Sequence, residues 1–369
     1  MVCPGAPPIS DNEFFRQLSH KAIEQRIPLT GGIDLTCLCN LRCVHCYVGP
    51  QACTEGSGGR EMATGLIFDI VDQITDAGCL FVVVTGGEPL LRKDFIPIYR
   101  HMKAKGLLVT VFTNATLINE EIATLFAELP PYSIEVSIYG ATEETAQKIT
   151  GMSGALKKCL NGIDLLLEYG VKHVQLKTIL MTLNRHEFYD MEKIALDRGL
   201  EFRMDAAIFP RFNGDKTPLD LRVSPEEAVE KVFSVDKRVD DMIKYFERSQ
   251  DLPGGDNLYV CGAGITSFHI DAYGNLLPCV MPAGIKYSLL TGSFADGWNK
   301  VINDIINRKA GAFYKCNDCE KMALCGFCPA FFRLETGSED IRSDYLCAMG
   351  RSRFDFIYSG KRTGGLYGE

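Results

Sequence analysis

From about residue 32 to 208 the chain alternates short apolar runs, rich in β-branched residues, with longer stretches of helical period. The apolar runs predict strands at 32–36, 80–85, 107–112, 133–138, 173–179 and 201–207. Helical patterns fall between them, near 64–77, 94–105, 120–128, 155–169 and 187–198. Strands separated by ten-residue helices make βαβ units and a parallel sheet. About six units are present, whereas a full eight-unit barrel takes about 250 residues. The expected α/β fold is therefore a partial (β/α)6 TIM barrel, open on one side.

The flanking segments differ. Residues 1–30 hold a Pro-rich start and one amphipathic helix near 12–26, a short N-terminal extension. Residues 211–257 read as a linker with two charged helices. Residues 258–369 carry seven cysteines among short strands, turns and helices, and read as a second, small cysteine-rich α+β domain after the barrel at 31–210.

Composition narrows the function classes. With 46% hydrophobic and 23% charged residues the chain of 369 buries a sizeable core, which excludes wholesale disorder. A formal charge of −8 disfavours general nucleic-acid binding. No apolar run reaches the ~18–20 residues of a membrane helix. The start, MVCPGAPPISDNEFF, has no basic or apolar signal region, so the expected location is cytoplasmic. The 15 cysteines stand out, and the odd count excludes complete pairing within one chain. In a reducing compartment, metal binding or catalysis is the better use for them.

Cys39, Cys43 and Cys46 follow the first strand in C-x3-C-x2-C spacing. Three thiolates from one loop suit three irons of a 4Fe–4S cube and leave the fourth iron open. The other reading is half of a zinc site completed elsewhere. Position favours the first, because barrel chemistry sits at the C-terminal ends of strands. Strand two ends in Thr85-Gly86-Gly87-Glu88-Pro89, strand three in Thr113-Asn114-Ala115-Thr116 and strand four in Ser137-Ile138-Tyr139-Gly140. Each is an ordinary turn by itself. Their succession on consecutive strands is the specific feature.

With CNLRCVHCY and GGEP in this order, the sequence resembles the radical S-adenosylmethionine (SAM) superfamily. The resemblance implies that Cys39, Cys43 and Cys46 hold a 4Fe–4S cluster. Its open iron would chelate SAM, and reduction would release methionine and a 5′-deoxyadenosyl radical that abstracts a substrate hydrogen. Gly86, Gly87 and Glu88 would take the amino group of SAM. Ser137 would bond its ribose or carboxylate, Tyr47 would lie near the adenine, and Asn114 with Thr113 would line the site. Tyr47 also reads as core packing. Lys148 aligns loosely with a basic residue that holds the carboxylate in relatives. His45, inside the loop, is expected behind the cluster or facing solvent. Cys37, Cys79 and Cys159 read as small hydrophobes, and Cys3 and Cys53 stay unassigned. Arg203, Asp205 and Lys177 either line the barrel interior or form internal ion pairs.

Cys261, Cys279, Cys316, Cys319, Cys325, Cys328 and Cys347 are too many for one tetrahedral zinc site. Their pattern, with FHIDAYGNLLPC, resembles the SPASM extension of radical SAM enzymes, which carries two auxiliary clusters. The resemblance assigns Cys261, Cys279 and Cys328 to the first cluster, and Cys316, Cys319, Cys325 and Cys347 to the second. It departs at Cys325-x2-Cys328, where relatives have three intervening residues. Gly255 stands where some relatives place a further cysteine, so the first auxiliary cluster is expected to lack one thiolate.

The function implied is modification of a ribosomally made peptide by crosslinking, epimerisation or backbone excision. A radical enzyme for a small metabolite or tetrapyrrole is the alternative. A non-catalytic zinc- or iron–sulfur-binding interaction protein is the remote one. With about 30 residues before the barrel, leader recognition would need a separate protein or a different binding mode, and a flavodoxin or ferredoxin would supply electrons.

Overall fold

A computed structural model of the chain describes residues 11–49, 60–249, 257–312, 314–316 and 319–359. Helix α1 (Asp11–Gln25) precedes six βα repeats. Their strands are β1 (Thr30–Thr36), β2 (Phe81–Gly86), β3 (Leu108–Thr113), β4 (Ser133–Ser137), β5 (Val174–Ile179) and β6 (Glu201–Asp205). The helices are α2 (Thr64–Asp76), α3 (Phe95–Ala104), α4 (Glu120–Glu128), α5 (Glu143–Thr150), α6 (Ala155–Glu168) and α7 (Phe188–Leu196). Two charged helices follow, α8 (Pro225–Val232) and α9 (Asp236–Ser249). The C-terminal part adds strands β7 (Ser267–Ile270), β8 (Asn275–Leu277) and β9 (Tyr287–Ser288). It also adds helices α10 (Phe294–Asp296), α11 (Met322–Cys325), α12 (Pro329–Thr336) and α13 (Asp344–Tyr358).

All nine strands form one sheet in the order β6-β5-β4-β3-β2-β1-β7-β8-β9. Every neighbouring pair from β6 to β7 is parallel, and β8 and β9 close the far edge antiparallel. Period-two burial explains the layers. In β2 and β3 alternate residues are buried, so Val82, Val84, Val109 and Val111 join Ile67, Ile70, Phe95 and Ile98 of the helices in one core. Fully burying each such side chain stabilises by about 1.5–3 kcal/mol. The other face of the strands lines the interior of the open barrel. It carries Asp34, Thr85, Glu135, Ser137, Lys177 and Arg203, all at the alternate, less buried positions.

The seam between β1 and β7 depends on two glycines. A Cβ at Gly31 would stand 2.4 Å from Phe268 Cζ, and one at Gly32 would stand 2.4 Å from His269 Nδ1. Only glycine lets the β7 side chains lie across β1 at this spacing.

Helix α5 lies in a stretch that the apolar periodicity passes over. Thr142 caps it, accepting from Thr145 N, and Gly151 ends it with φ +67°. Its N-terminus is also tied to Glu187. That carboxylate accepts from Ala141 N (2.7 Å), Thr142 N (3.1 Å), Thr142 Oγ1 (2.6 Å) and Thr145 Oγ1 (2.6 Å). Burial raises the Glu187 pKa, but the four donors outweigh it and hold the carboxyl below its ordinary value. A carboxylate with a depressed folded pKa stabilises above its unfolded pKa. That gain is lost as pH falls through the folded value. Glu187→Gln is expected to cost about 1–3 kcal/mol at neutral pH, with the gap to wild type closing on acidification. Urea unfolding at neutral and acid pH checks this, and an equal gap at both would rule the carboxylate charge out.

Candidate cluster and cofactor site

The loop from Cys37 to Tyr47 runs off the end of β1, and its backbone is bonded on several sides. Gly87 N donates to Thr36 O and Glu88 N to Leu38 O, both at 2.8 Å. Arg42 N donates to Thr150 O (2.7 Å) and Val44 N to Ile149 O (3.0 Å). These last two carbonyls close α5 and have no partner within it. Cys37 N donates to Glu61 Oε1 (2.8 Å). Arg211 Nη2 donates to Val44 O (3.2 Å), and Phe212 N to Tyr47 O (2.9 Å).

The two glycines of the second motif serve this docking. Gly86 has φ +124°, and a Cβ there would stand 2.2 Å from Thr36 O. A Cβ at Gly87 would stand 2.0 Å from Leu38 O. No other residue allows the backbones to meet.

The thiols themselves stay available. Cys39, Cys43 and Cys46 are free, and among the described residues Cys39 Sγ accepts from Leu41 N (3.4 Å) and, at 4.0 Å, from Asn114 Nδ2. Burial pushes the Cys39 thiol up to about 11, helped by the charges of Glu88 and Cys46. Burial, with Cys46 and Cys39 close by, raises Cys43 further still. Among the described residues no three His, Cys, Asp or Glu side chains converge as tightly as a bound metal requires. The three thiols are nonetheless neighbours whose charges act on one another. A cation among them would reverse that repulsion, so the donor set fits an iron–sulfur cluster.

The seven C-terminal thiols separate into two groups. Cys279 and Cys328 are each raised by burial and then by the charge of Cys261 or of one another, Cys328 to about 11. Cys316 and Cys325 are raised by burial and by Cys319 and Cys347, Cys325 to about 12. Cys328 thus stands with Cys261 and Cys279 despite its short spacing from Cys325. Gly255, Cys3 and Cys53 lie outside the described residues. Cys79 and Cys159 are buried, as expected of small hydrophobes. Cys37, expected to be a small buried hydrophobe, is instead half-buried and disulfide-bonded, and it accepts from Tyr273 OH (3.2 Å).

Of the expected SAM contacts, Asn114 and Ser137 come together. They line a small cavity beside the loop with Leu41, Thr116, Tyr139 and Cys159. Asn114 also donates to Asn40 Oδ1 (2.9 Å), tying the end of β3 to the loop. Tyr47 is not in that lining. Its phenol is buried near Asp34, Cys46 and Cys279, and burial is the main cause of its raised pKa. Lys148 is exposed on α5.

Glu88 departs most from expectation. The carboxylate assigned to an ammonium group is 1% exposed and already holds three protein donors. It accepts from Thr113 Oγ1 (2.8 Å), Asn114 N (2.8 Å) and Leu90 N (3.1 Å). It pins β3 to β2 from behind the loop. Burial pushes its pKa up to about 7 in spite of these donors. His45 is half-buried: Nδ1 is buried without a partner among the described residues, the ring packs on Tyr139 at 4.5 Å, and burial pushes its pKa down to about 4.

The barrel interior holds charges. Lys177 Nζ lies 3.3 Å from Glu135 Oε2 and over the Phe112 ring, and burial brings its pKa down to about 8. Arg203 Nη1 reaches Glu135 Oε1 at 3.4 Å while its side chain stays 65% exposed. Asp205 is exposed and accepts from Ala207 N (2.9 Å). Across the lumen, buried His269 places Nε2 3.1 Å from Asp34 Oδ2. Sequence reasoning missed His269, α5 and the 209–215 segment. The capping pair Thr142 and Gly151 was the legible signal for α5.

Residues 33–196 match the model of the Radical SAM superfamily. Those residues are a radical SAM domain. Over a longer span the chain is 26% identical across 333 residues to an AdoMet-dependent heme synthase of Methanosarcina barkeri, covering 85% of this chain and 93% of that protein. It is 26% identical across 307 residues to the mycofactocin maturase MftC of Mycobacterium tuberculosis, covering 80% and 74%. Beyond the radical SAM domain the fold also has solved counterparts. Streptococcus suis SuiB superposes with TM-score 0.69 at 17% identity, covering 93% of this chain and 84% of that one. AdoMet-bound anSMEcpe superposes with TM-score 0.68 at 16% identity, covering 89% and 97%. Both likenesses are of fold, and each covers far more of the chain than residues 33–196. Among the described residues no helix is long and apolar enough to cross a membrane.

The placement of Glu88 generates a prediction. Glu88→Ala leaves three buried donors without an acceptor, at about 1–3 kcal/mol each. It is expected to lower the melting temperature of the metal-free protein, and Glu88→Gln to lower it less. Unchanged melting with weakened SAM binding would return Glu88 to the role of a direct ligand contact.

Proposed function

We propose that this chain is a radical SAM enzyme that modifies a ribosomally synthesised peptide. The observation that carries the chemistry is the loop of Cys39, Cys43 and Cys46, whose backbone is bonded on several sides while its three thiols are free. Cys39, Cys43 and Cys46 would hold a 4Fe–4S cluster there, which would supply the electron for reductive cleavage of SAM. The chain's own residues do the rest. Asn114 and Ser137 offer polar groups to SAM in the cavity beside the loop. Gly86 and Gly87 hold the loop against β2, and Glu88 fixes the strand end behind it. The polar lumen, with Lys177, Glu135 and Arg203 on one wall and Asp34 and His269 on another, receives a substrate.

The two C-terminal thiol groups favour two auxiliary clusters, one on Cys261, Cys279 and Cys328 and one on Cys316, Cys319, Cys325 and Cys347. The first set has three thiolates, so an open or non-cysteine fourth position belongs to this reading. The peptide substrate is favoured by the likeness to MftC, and by SuiB, which has been solved with its precursor peptide SuiA. A tetrapyrrole is the second reading, favoured by the heme synthase whose length is 93% covered. The electron for SAM cleavage would come from a flavodoxin or ferredoxin.

Changing Cys39, Cys43 and Cys46 together to Ala is expected to abolish 5′-deoxyadenosine formation with dithionite. Iron in the anaerobically reconstituted protein should fall by about four of ~12 atoms. Persistent 5′-deoxyadenosine, or zinc in place of iron in the wild type, would overturn the proposal. Incubation with a short peptide encoded beside the gene, against an iron porphyrin carrying propionates, separates the two substrate classes by mass.

A further inference from the structure

The segment after β6 joins the radical SAM domain to the C-terminal thiols through side chains. Phe212 N and Arg211 Nη2 grip the loop at Tyr47 O and Val44 O. Arg211 is itself paired with Asp215. The Tyr47 ring packs on Phe212 at 4.9 Å and on Phe209 at 5.3 Å. Phe209 meets Phe331 edge to face at 5.5 Å and 65°. Phe331 lies in the first turn of α12, and its N–H donates to Cys328 Sγ (3.4 Å). A continuous run of contacts therefore leads from the backbone beside Cys46 to a thiol of the first C-terminal group.

We propose that Phe209 and Phe331 are positioning residues that couple metal occupancy at Cys261, Cys279 and Cys328 to SAM binding at the radical SAM domain. The inference rests on the metal reading of those thiols given above. The physical argument is short. Cys328 caps α12, so the place of its sulfur sets the first turn of that helix and the Phe331 ring. A metal fixes that sulfur. The ring then fixes Phe209, and Phe209 fixes Tyr47 and the loop that ends at Cys46. Packed aromatics have discrete arrangements and transmit displacement. One edge-to-face pair changes an equilibrium by about two- to ten-fold. Coupling of this kind is reciprocal: SAM must tighten metal at Cys328 by the same factor that metal there tightens SAM.

The test uses the full chain, reconstituted anaerobically, and reads three quantities other than turnover. These are the SAM Kd, iron per chain, and the rate at which a chelator strips the C-terminal iron with and without SAM. Cys328→Ala is expected to lower iron and to weaken SAM binding by about three- to ten-fold. Phe209→Leu is expected to leave iron unchanged and weaken SAM binding by a similar factor. The double variant should be no weaker than the weaker single, because both break one chain of contacts. SAM should slow iron loss in the wild type but not in Phe209→Leu. Phe331→Leu repeats the test from the other end of the contact.

Two results overturn the coupling and tell different failures apart. Full iron in Cys328→Ala would remove the metal reading of that thiol. Lowered iron with an unchanged SAM Kd, or additive effects in the double variant, would keep the metal and remove the coupling.

Discussion

The structure turns on the contact between two stretches of backbone that carry no side chain between them. Gly86 and Gly87 end β2 against the carbonyls of Thr36 and Leu38, where any Cβ would stand at 2.2 Å and 2.0 Å from oxygen. That approach lets Gly87 N and Glu88 N donate to the start of the cysteine loop. The loop is thereby an extension of the sheet rather than a free connection. Everything that follows in it, from Cys39 to Tyr47, inherits its position from this junction. The buried Glu88 carboxylate completes the same junction from behind. It accepts the amides of Asn114 and Leu90 and the hydroxyl of Thr113, so the ends of β1, β2 and β3 move as one unit.

A loop built this way separates two tasks. Its peptide groups are satisfied by α5, by the glycine turn and by the 211–212 backbone and side chain. Unsatisfied peptide groups are costly where they leave water, so this bonding lets the half-buried loop pack against the strand ends. Its thiols are left almost without donors. Burial then raises Cys39 to about 11 and Cys43 further, which makes the empty loop a poor site for bare thiolate. The same burial strengthens attraction to a cation, because low dielectric magnifies charge interactions of either sign. Thiols with raised pKa values are poor nucleophiles at neutral pH, which is consistent with the proposed use of these sulfurs as ligands.

Much of this was legible in the sequence, and what was not has a physical reason. The six barrel strands are visible because each buries one face against helices, which leaves an alternating record. The three loop cysteines and the GGEP turn are visible because close approach and metal ligation demand those residue types. Helix α5 was not read because it is short and polar, and its signal lies in caps rather than periodicity. Residues 209–215 read as a linker by composition, yet Phe209, Arg211 and Phe212 hold the loop. Irregular backbone that packs on irregular backbone leaves no period to detect. Glu88 was assigned to ligand because a carboxylate beside two glycines suits an ammonium. Nothing in a linear pattern shows that Thr113, the Asn114 amide and the Leu90 amide also bond it.

The pairing of β7 with β1 links the two cysteine regions more tightly than a linker could. Parallel pairing of Gly31 with Phe268 and Gly32 with His269 sets the register. Each glycine leaves room for the ring beside it, so the fit specifies one alignment. A slip of one residue would turn His269 out of the lumen and Phe268 into it. It would also part His269 from Asp34, now 3.1 Å away. Phe268 instead packs on Phe294 at 4.9 Å, on the helix side of the sheet. The hairpin from β7 through β8 then delivers Cys279 to the neighbourhood of Tyr47. The distance between the two groups of thiols is therefore measured out by strand register, and two glycines in β1 hold that register in place.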